Sequence, residues 1–154
     1  LLLWRVPSTI EPRVIQLDAK GEKEQIQTLF KDGRRIYFLL ILLVSLTYIF
    51  IGKWLAELWV GEHAPSQRWM YVASGLALFF NTFARWPISF AYALIKLRAL
   101  TKMATIEVAC RLLITILLFP YFNIASPILA TICTHASYIA YGYQKIMKHK
   151  LKTV

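Results

Sequence analysis

Five polar residues, Asn81, Arg85, Glu107, Arg111 and His135, lie inside stretches of this 154-residue chain that are otherwise apolar. A charge at the centre of a bilayer costs on the order of 2.5–3.5 kcal/mol on insertion scales. Groups in such places therefore face protein or a water-filled cavity and are functional candidates by default. Glu107 and Arg111 stand four apart on one helical face, with the glutamate first, which is the favourable order. They read either as a mutually neutralised couple that lets the segment insert, or as one wall of a polar cavity on a substrate or ion path. Glu107 is also close enough to the start of its segment to snorkel toward the cytoplasmic interface. Arg85 has no carboxylate near it in its own segment, and Asn81 shares its face one turn earlier. A guanidinium grips phosphate oxygens in a bidentate fork, so Arg85 beside the expected kink at Pro87 suits a phosphate group. The alternative is a carboxylate partner elsewhere in a longer chain. His135 is flanked by Thr131, Thr134 and Ser137; histidine as a residue type titrates near neutral pH, which makes it a candidate for proton coupling or else a hydrogen-bonded packing residue.

Four apolar segments must position these groups: Ile36–Gly52, Trp69–Ile95, Met103–Phe119 and Ile124–Tyr143. Each is near or above the roughly 17–25 residues that a helix needs to cross a bilayer. Seven Lys and Arg residues precede the first segment, three stand between the second and third, and four follow the last. Those fourteen share one side, whereas the loop Lys53–Arg68 holds only two and the turn Pro120–Asn123 none. By the positive-inside rule the basic side is cytoplasmic, the C-terminal tail included. A 58% hydrophobic composition and a mean hydropathy of +0.52 exceed what a soluble domain carries. The fold class is therefore all-α, a polytopic transmembrane bundle. The net charge of +10 is an orientation signal and does not point to nucleic acid, since no basic stripe with interleaved aromatics stands outside the membrane-flanking loops.

Three parts follow along the chain. Residues 1–35 comprise the end of a preceding span, at Leu1–Trp4, and a cytoplasmic amphipathic segment from Glu11 to Arg35, with Ile15, Ile26, Leu29 and Phe30 as its apolar stripe and Gly21 as a break. Residues 36–143 hold the four spans, and residues 144–154 form a basic tail. Tyr37, Tyr48, Trp54 and Trp59 sit near the ends of the first span, where amphipathic rings favour the headgroup region. Pro87 should kink the second span, Pro120 should stop the third, and Pro127 belongs in the first turn of the fourth. Ala125, Ala130, Ala136, Ala140 and Gly142 would let another helix approach closely. Cys110 and Cys133 read as small apolar residues in spans, not as a disulfide or a metal pair. No phosphate loop, metal-ligand cluster or nucleophile triad is present, so neither an enzyme nor a bound metal or cofactor is expected. The chain opens on Leu1 within an apolar stretch, and the expectation is a C-terminal fragment of a longer polytopic protein.

The order of these features resembles a known family. Pro7 follows an apolar end, Gly21 and Glu22 lie in a cytoplasmic stretch, and a Leu-rich span leads to an outer loop reading Leu58, Trp59, Val60, Gly61. A long span ends in Leu97, Arg98, Ala99, and Tyr121, Phe122, Asn123, Ile124, Ala125 lead into a small-residue span. This arrangement is similar to the C-terminal part of polysaccharide biosynthesis proteins of the O-antigen flippase type, within the multidrug, oligosaccharidyl-lipid and polysaccharide exporter superfamily. It departs from the family at Ile124–Pro127, where glycines are usual. The resemblance implies the final four spans of a transporter of about 12 to 14 helices in the bacterial inner membrane. It also implies alternating access and a cargo of undecaprenyl-pyrophosphate-linked glycan for lipopolysaccharide O-antigen, exopolysaccharide or capsule. The bilayer is then the obligate partner, with a glycan polymerase or other export machinery beside it. The family has no short universal motif, so Arg85, Asn81, Arg111 and Glu107 as cargo contacts and His135 as a proton carrier rest on their chemistry. Two other readings stand beside this one. A cation-coupled exporter of the same superfamily calls for unpaired intramembrane carboxylates, and a non-transporting scaffold subunit assigns all five residues to helix packing.

Overall fold

Gly21 is where the N-terminal amphipathic segment divides. In the computed structural model, which describes residues 2–94, 97–136 and 142, Gly21 takes a left-handed φ of 74° and the Glu22 N–H returns to the Leu17 carbonyl at 2.9 Å. That closure satisfies an end carbonyl of one helix before the next begins. The elements are α1 (Leu2–Ser8), α2 (Glu11–Ala19), α3 (Lys23–Val60), α4 (Arg68–Ala93), α5 (Leu97–Phe122) and α6 (Ser126–Thr134), with single 3-10 turns at Gly61–His63 and Asn123–Ala125. The fold is all-α. Ile95, Lys96, Ser137, the remainder of the fourth apolar segment apart from Gly142, the tail 144–154 and Leu1 lie outside the described residues.

α4 is the hub, packing against every other helix. Its buried positions are largely small, Ala73, Gly75, Ala84, Ser89, Ala91 and Ala93, which lets neighbouring backbones approach closely. Gly75 meets α3 where a Cβ would strike the Ile49 side chain, and Gly33 meets α4 where a Cβ would strike the Trp86 indole. The core lies around and beyond the Gly33–Trp86 approach. Val14 and Leu17 of α2, Ile26, Phe30, Tyr37 and Ile41 of α3, and Trp86 and Phe90 of α4 are all buried in one cluster. The Trp86 Nε1–H donates to the Phe30 carbonyl at 3.0 Å. The Tyr37 hydroxyl lies 3.1 Å from the Leu3 carbonyl and 3.2 Å from that of Thr82, so one proton is shared between two acceptors.

Several expectations change here. The N-terminal stripe is Val14 and Leu17 followed by Ile26 and Phe30, with Ile15 52% exposed. Val14 and Leu17 are three apart and share a face, while Ile15 is a third of a turn round the helix from Val14. The stripe packs into the core beside α4. Tyr37 is a buried strut and not a headgroup anchor, because α1 and α4 supply acceptors for its hydroxyl. α3 runs on to Val60, eight residues past Gly52, with an exposed Lys53–Glu57 pair at 3.6 Å along this last part, so the loop to α4 is only Gly61 to Gln67. Pro120 does not stop α5, which ends two residues later at Phe122; the ring removes one N–H bond to the carbonyl four residues back, and the helix gives way to the 3-10 turn within a turn of it. α4 is helical through Pro87 to Ala93, so Arg85 lies within one continuous helix. Pro127 does occupy the first turn of α6.

Two stretches are long and apolar enough to cross a membrane, Lys23–His63 with mean hydropathy 2.1 and Leu100–Thr134 with 1.9. Only 22% and 11% of their apolar windows are buried, whereas the core helix of a soluble protein would be mostly covered. Leu39, Leu43 and Phe50 on α3, and Leu113, Ile116 and Leu117 on α5, face outward.

Candidate functional site

The face of α4 next to its core face carries the polar site. Thr82, Trp86 and Phe90 recur at helical spacing and turn inward to α3, which leaves Asn81, Arg85, Ile88 and Tyr92, at steps of four, three and four, along the adjoining stripe. Because Trp86 and Thr82 are tied to α3 by the hydrogen bonds above, the azimuth of that stripe is fixed. It looks toward α5 and α6.

α6 turns back along α5 after the 3-10 turn, where Asn123 takes φ 45° and the Ser126 hydroxyl donates to the Asn123 carbonyl at 2.7 Å. This reversal brings His135 opposite Glu107 and Arg111. Asn81, Arg85, Glu107 and His135 then line a single cavity of about 200 Å³, closed by Ile88, Tyr92, Leu100, Ala104 and Val108. Four of the five polar residues singled out in the sequence thus come from three separate parts of the chain to one space. The fifth, Arg111, stands behind the wall, its Nη2 donating to Glu107 Oε1 at 2.6 Å.

His135 is 2% exposed and completes a triangle with that pair. Its Nε2 lies 3.2 Å from Glu107 Oε1, its Nδ1 3.1 Å from the Thr131 carbonyl, and Arg111 Nη2 is 3.4 Å from both ring nitrogens. With Nδ1–H donating to Thr131, the other nitrogen has two possible partners. A neutral ring accepts from Arg111 there; a protonated ring donates to Glu107. The Arg111 Nε has no hydrogen-bond acceptor among the described residues. One carboxylate thus serves a guanidinium on its own helix and an imidazole on the next.

Among the described residues the cavity and its wall hold two guanidiniums, of Arg85 and Arg111, and the Glu107 carboxylate. Tyr92 is a lining residue that the sequence reading missed, and its signal was present, since it stands seven residues beyond Arg85 on the Asn81–Arg85 face. Among the described residues no group of three or more His, Cys, Asp or Glu side chains is placed to hold a metal ion. Cys110 and Cys133 form no disulfide with each other. No protein-family model, curated protein or solved structure matches this chain.

Proposed function

We propose that this chain forms part of a polytopic transporter that moves a lipid-linked, phosphate-bearing glycan across the bacterial cytoplasmic membrane. The observation that carries the reading is the convergence of Asn81, Arg85, Glu107 and His135 on one cavity inside a bundle whose outer faces are apolar. Polar groups gathered from several helices at such a depth mark a cargo or ion path. In this reading α4, at 26 residues and about 39 Å, is a further crossing whose hydropathy is lowered by Asn81 and Arg85 themselves. α6 begins the fourth. Arg85, facing the cavity from mid-helix, takes a phosphate oxygen pair, with Asn81 one turn away as a neutral donor. The four spans belong to a larger bundle, and the tail after the fourth lies in the cytoplasm.

The cation-exporter reading is weaker because Glu107, the only carboxylate lining the cavity among the described residues, is already engaged by Arg111 and His135. A scaffold role has one observation in its favour: the Glu107–Arg111–His135 triangle ties α5 to the turn after α6, as a packing device would. That assigns these three residues to structure as well as to the cavity and leaves Arg85 and Asn81 as the direct cargo contacts. The test is complementation of a strain lacking its flippase by the full-length gene, wild type against Arg85→Ala and Arg85→Lys. Surface glycan is expected to fall at least tenfold with Arg85→Ala and to be partly kept by Arg85→Lys. Normal glycan with Arg85→Ala at equal protein level would overturn the phosphate role, and extrusion of cationic dyes by purified protein that ignores lipid-linked glycan would favour the exporter.

A further inference from the structure

A second, separate site lies in the N-terminal third of α3, away from the loop Gly61–Gln67. Lys31, Asp32, Arg34 and Arg35, together with Phe38 and Phe83, line a cavity of about 640 Å³. Three cations against one carboxylate make it basic. Its floor is aromatic: the Phe38 ring sits 5.5 Å from Phe79 and 5.9 Å from Phe83, both edge to face, and Phe79 and Phe83 are stacked at 6.1 Å. Arg34 also stands over the Phe30 ring at 5.7 Å, a contact that restrains its side chain.

The placement of this cavity along the helix is specific. The apolar stretch of α3 begins at Ile36, and Lys31–Arg35 occupy the turn just before it, while Phe38 lies half a turn inside. From Lys31 to Phe38 is seven residues, about 10 Å along the axis, enough to cross the headgroup layer of roughly 5–7 Å per leaflet and reach the hydrocarbon. Gly33 fixes the geometry. With no Cβ between α3 and the Trp86 indole, and with Trp86 held to the Phe30 carbonyl, the two helices are clamped at this level and the flanking cations fan around a rigid crossing.

From this arrangement we infer that the cavity binds an anionic glycerophospholipid of the surrounding leaflet, the phosphodiester among Lys31, Arg34 and Arg35 and the upper acyl chain against Phe38 and Phe83. The inference rests on α3 spanning a bilayer, but not on what the central cavity carries. Basic pockets at the cytoplasmic ends of membrane helices take anionic headgroups for the same reason, the low dielectric beneath and the anionic surface around them. Each such cation contributes roughly a fivefold gain in binding, and Asp32 takes back part of it.

The test uses the full chain in neutral detergent, with native mass spectrometry counting bound phosphatidylglycerol or phosphatidylcholine. Wild type is expected to hold phosphatidylglycerol in preference to phosphatidylcholine. The variant Lys31→Gln/Arg34→Gln/Arg35→Gln should bind it about tenfold or more weakly, while Lys53→Gln/Arg68→Gln, which removes two cations at the far end, should match wild type. Asp32→Asn provides the arm that misfolding cannot imitate, since it should tighten binding about fivefold. Equal binding of the two lipids, an unchanged triple variant, or no tightening with Asp32→Asn overturns the site. Displacement by equimolar inorganic phosphate also overturns it, because the guest would then be a soluble anion. Flotation with neutral-lipid vesicles separates the two levels: a chain that fails to float defeats the membrane reading itself, and a chain that floats without lipid preference defeats only this site.

Discussion

Replacing Glu107 by glutamine removes the one negative charge between Arg111 and His135 while keeping an acceptor oxygen in place. Unit charges roughly 4 Å apart attract by about 4 kcal/mol at an effective dielectric of about 20. The Glu107 side chain is 18% exposed and that of Arg111 36% exposed, so solvent screens part of this, and desolvation of the pair offsets more. Hydrogen bonds to charged groups leave a net of about 1.5–3 kcal/mol, and Glu107→Gln should destabilise the α5–α6 hairpin by about that amount. Arg111→Gln should cost less, since Glu107 keeps His135. The double variant Glu107→Gln/Arg111→Gln leaves neither member of the ion pair without the other. It should recover part of the loss, giving a coupling energy of about 1–2 kcal/mol. Unfolding of purified protein in mixed micelles, followed by far-UV circular dichroism, measures all four corners of the cycle. Single variants within about 0.5 kcal/mol of wild type, with additive effects, would refute the triangle as a tie between helices. Transport by the double variant then separates the two roles: activity restored along with stability marks a structural tie, and activity lost at full stability places the charges on the cargo or proton path.

The glycines of the α3–α4 contact make a paired prediction. Gly75→Ala, whose new Cβ would press on Ile49 and stand 3.2 Å from the Ser45 carbonyl, should cost about 1–3 kcal/mol, whereas Gly52→Ala, which meets only the Tyr48 ring at 3.4 Å, should be near neutral; thermal unfolding in detergent ranks them, and equal effects would contradict the close approach. Topology can be read with an impermeant maleimide on a Cys110→Ser/Cys133→Ser background. Glu62→Cys should label from outside intact cells and Gln25→Cys only after permeabilisation, and labelling of both from one side would remove α3 as a span.

Much of the architecture was legible because it is local. The break at Gly21, the pairing of Glu107 with Arg111, the first-turn place of Pro127 and the long apolar stretches in α3 and α5 all follow from spacing within a single element. What went astray was also local in form but decided from outside. Ile15 is as apolar as Val14, and only the position of α4 selects which of them is covered. Tyr37 looks like an interfacial ring until α1 and α4 bring it the Leu3 and Thr82 carbonyls. Helix ends at Val60 and Phe122 overran their expected limits because the apolar segments were bounded by hydropathy, whereas a helix continues wherever each added residue completes another backbone bond.

The sequence by itself determined that the chain is helical, strongly apolar and marked by a few buried charges, since composition and periodicity set which residues can share a helix face. Only the tertiary structure decided that Asn81, Arg85, Glu107 and His135 face one another. His135 is 28 positions from Glu107 and 50 from Arg85, and no period relates residues on different helices. Their meeting depends on how α4 is rotated, and that rotation is set by small residues and by Trp86 and Tyr37 on its other faces, far from the polar groups that it brings together.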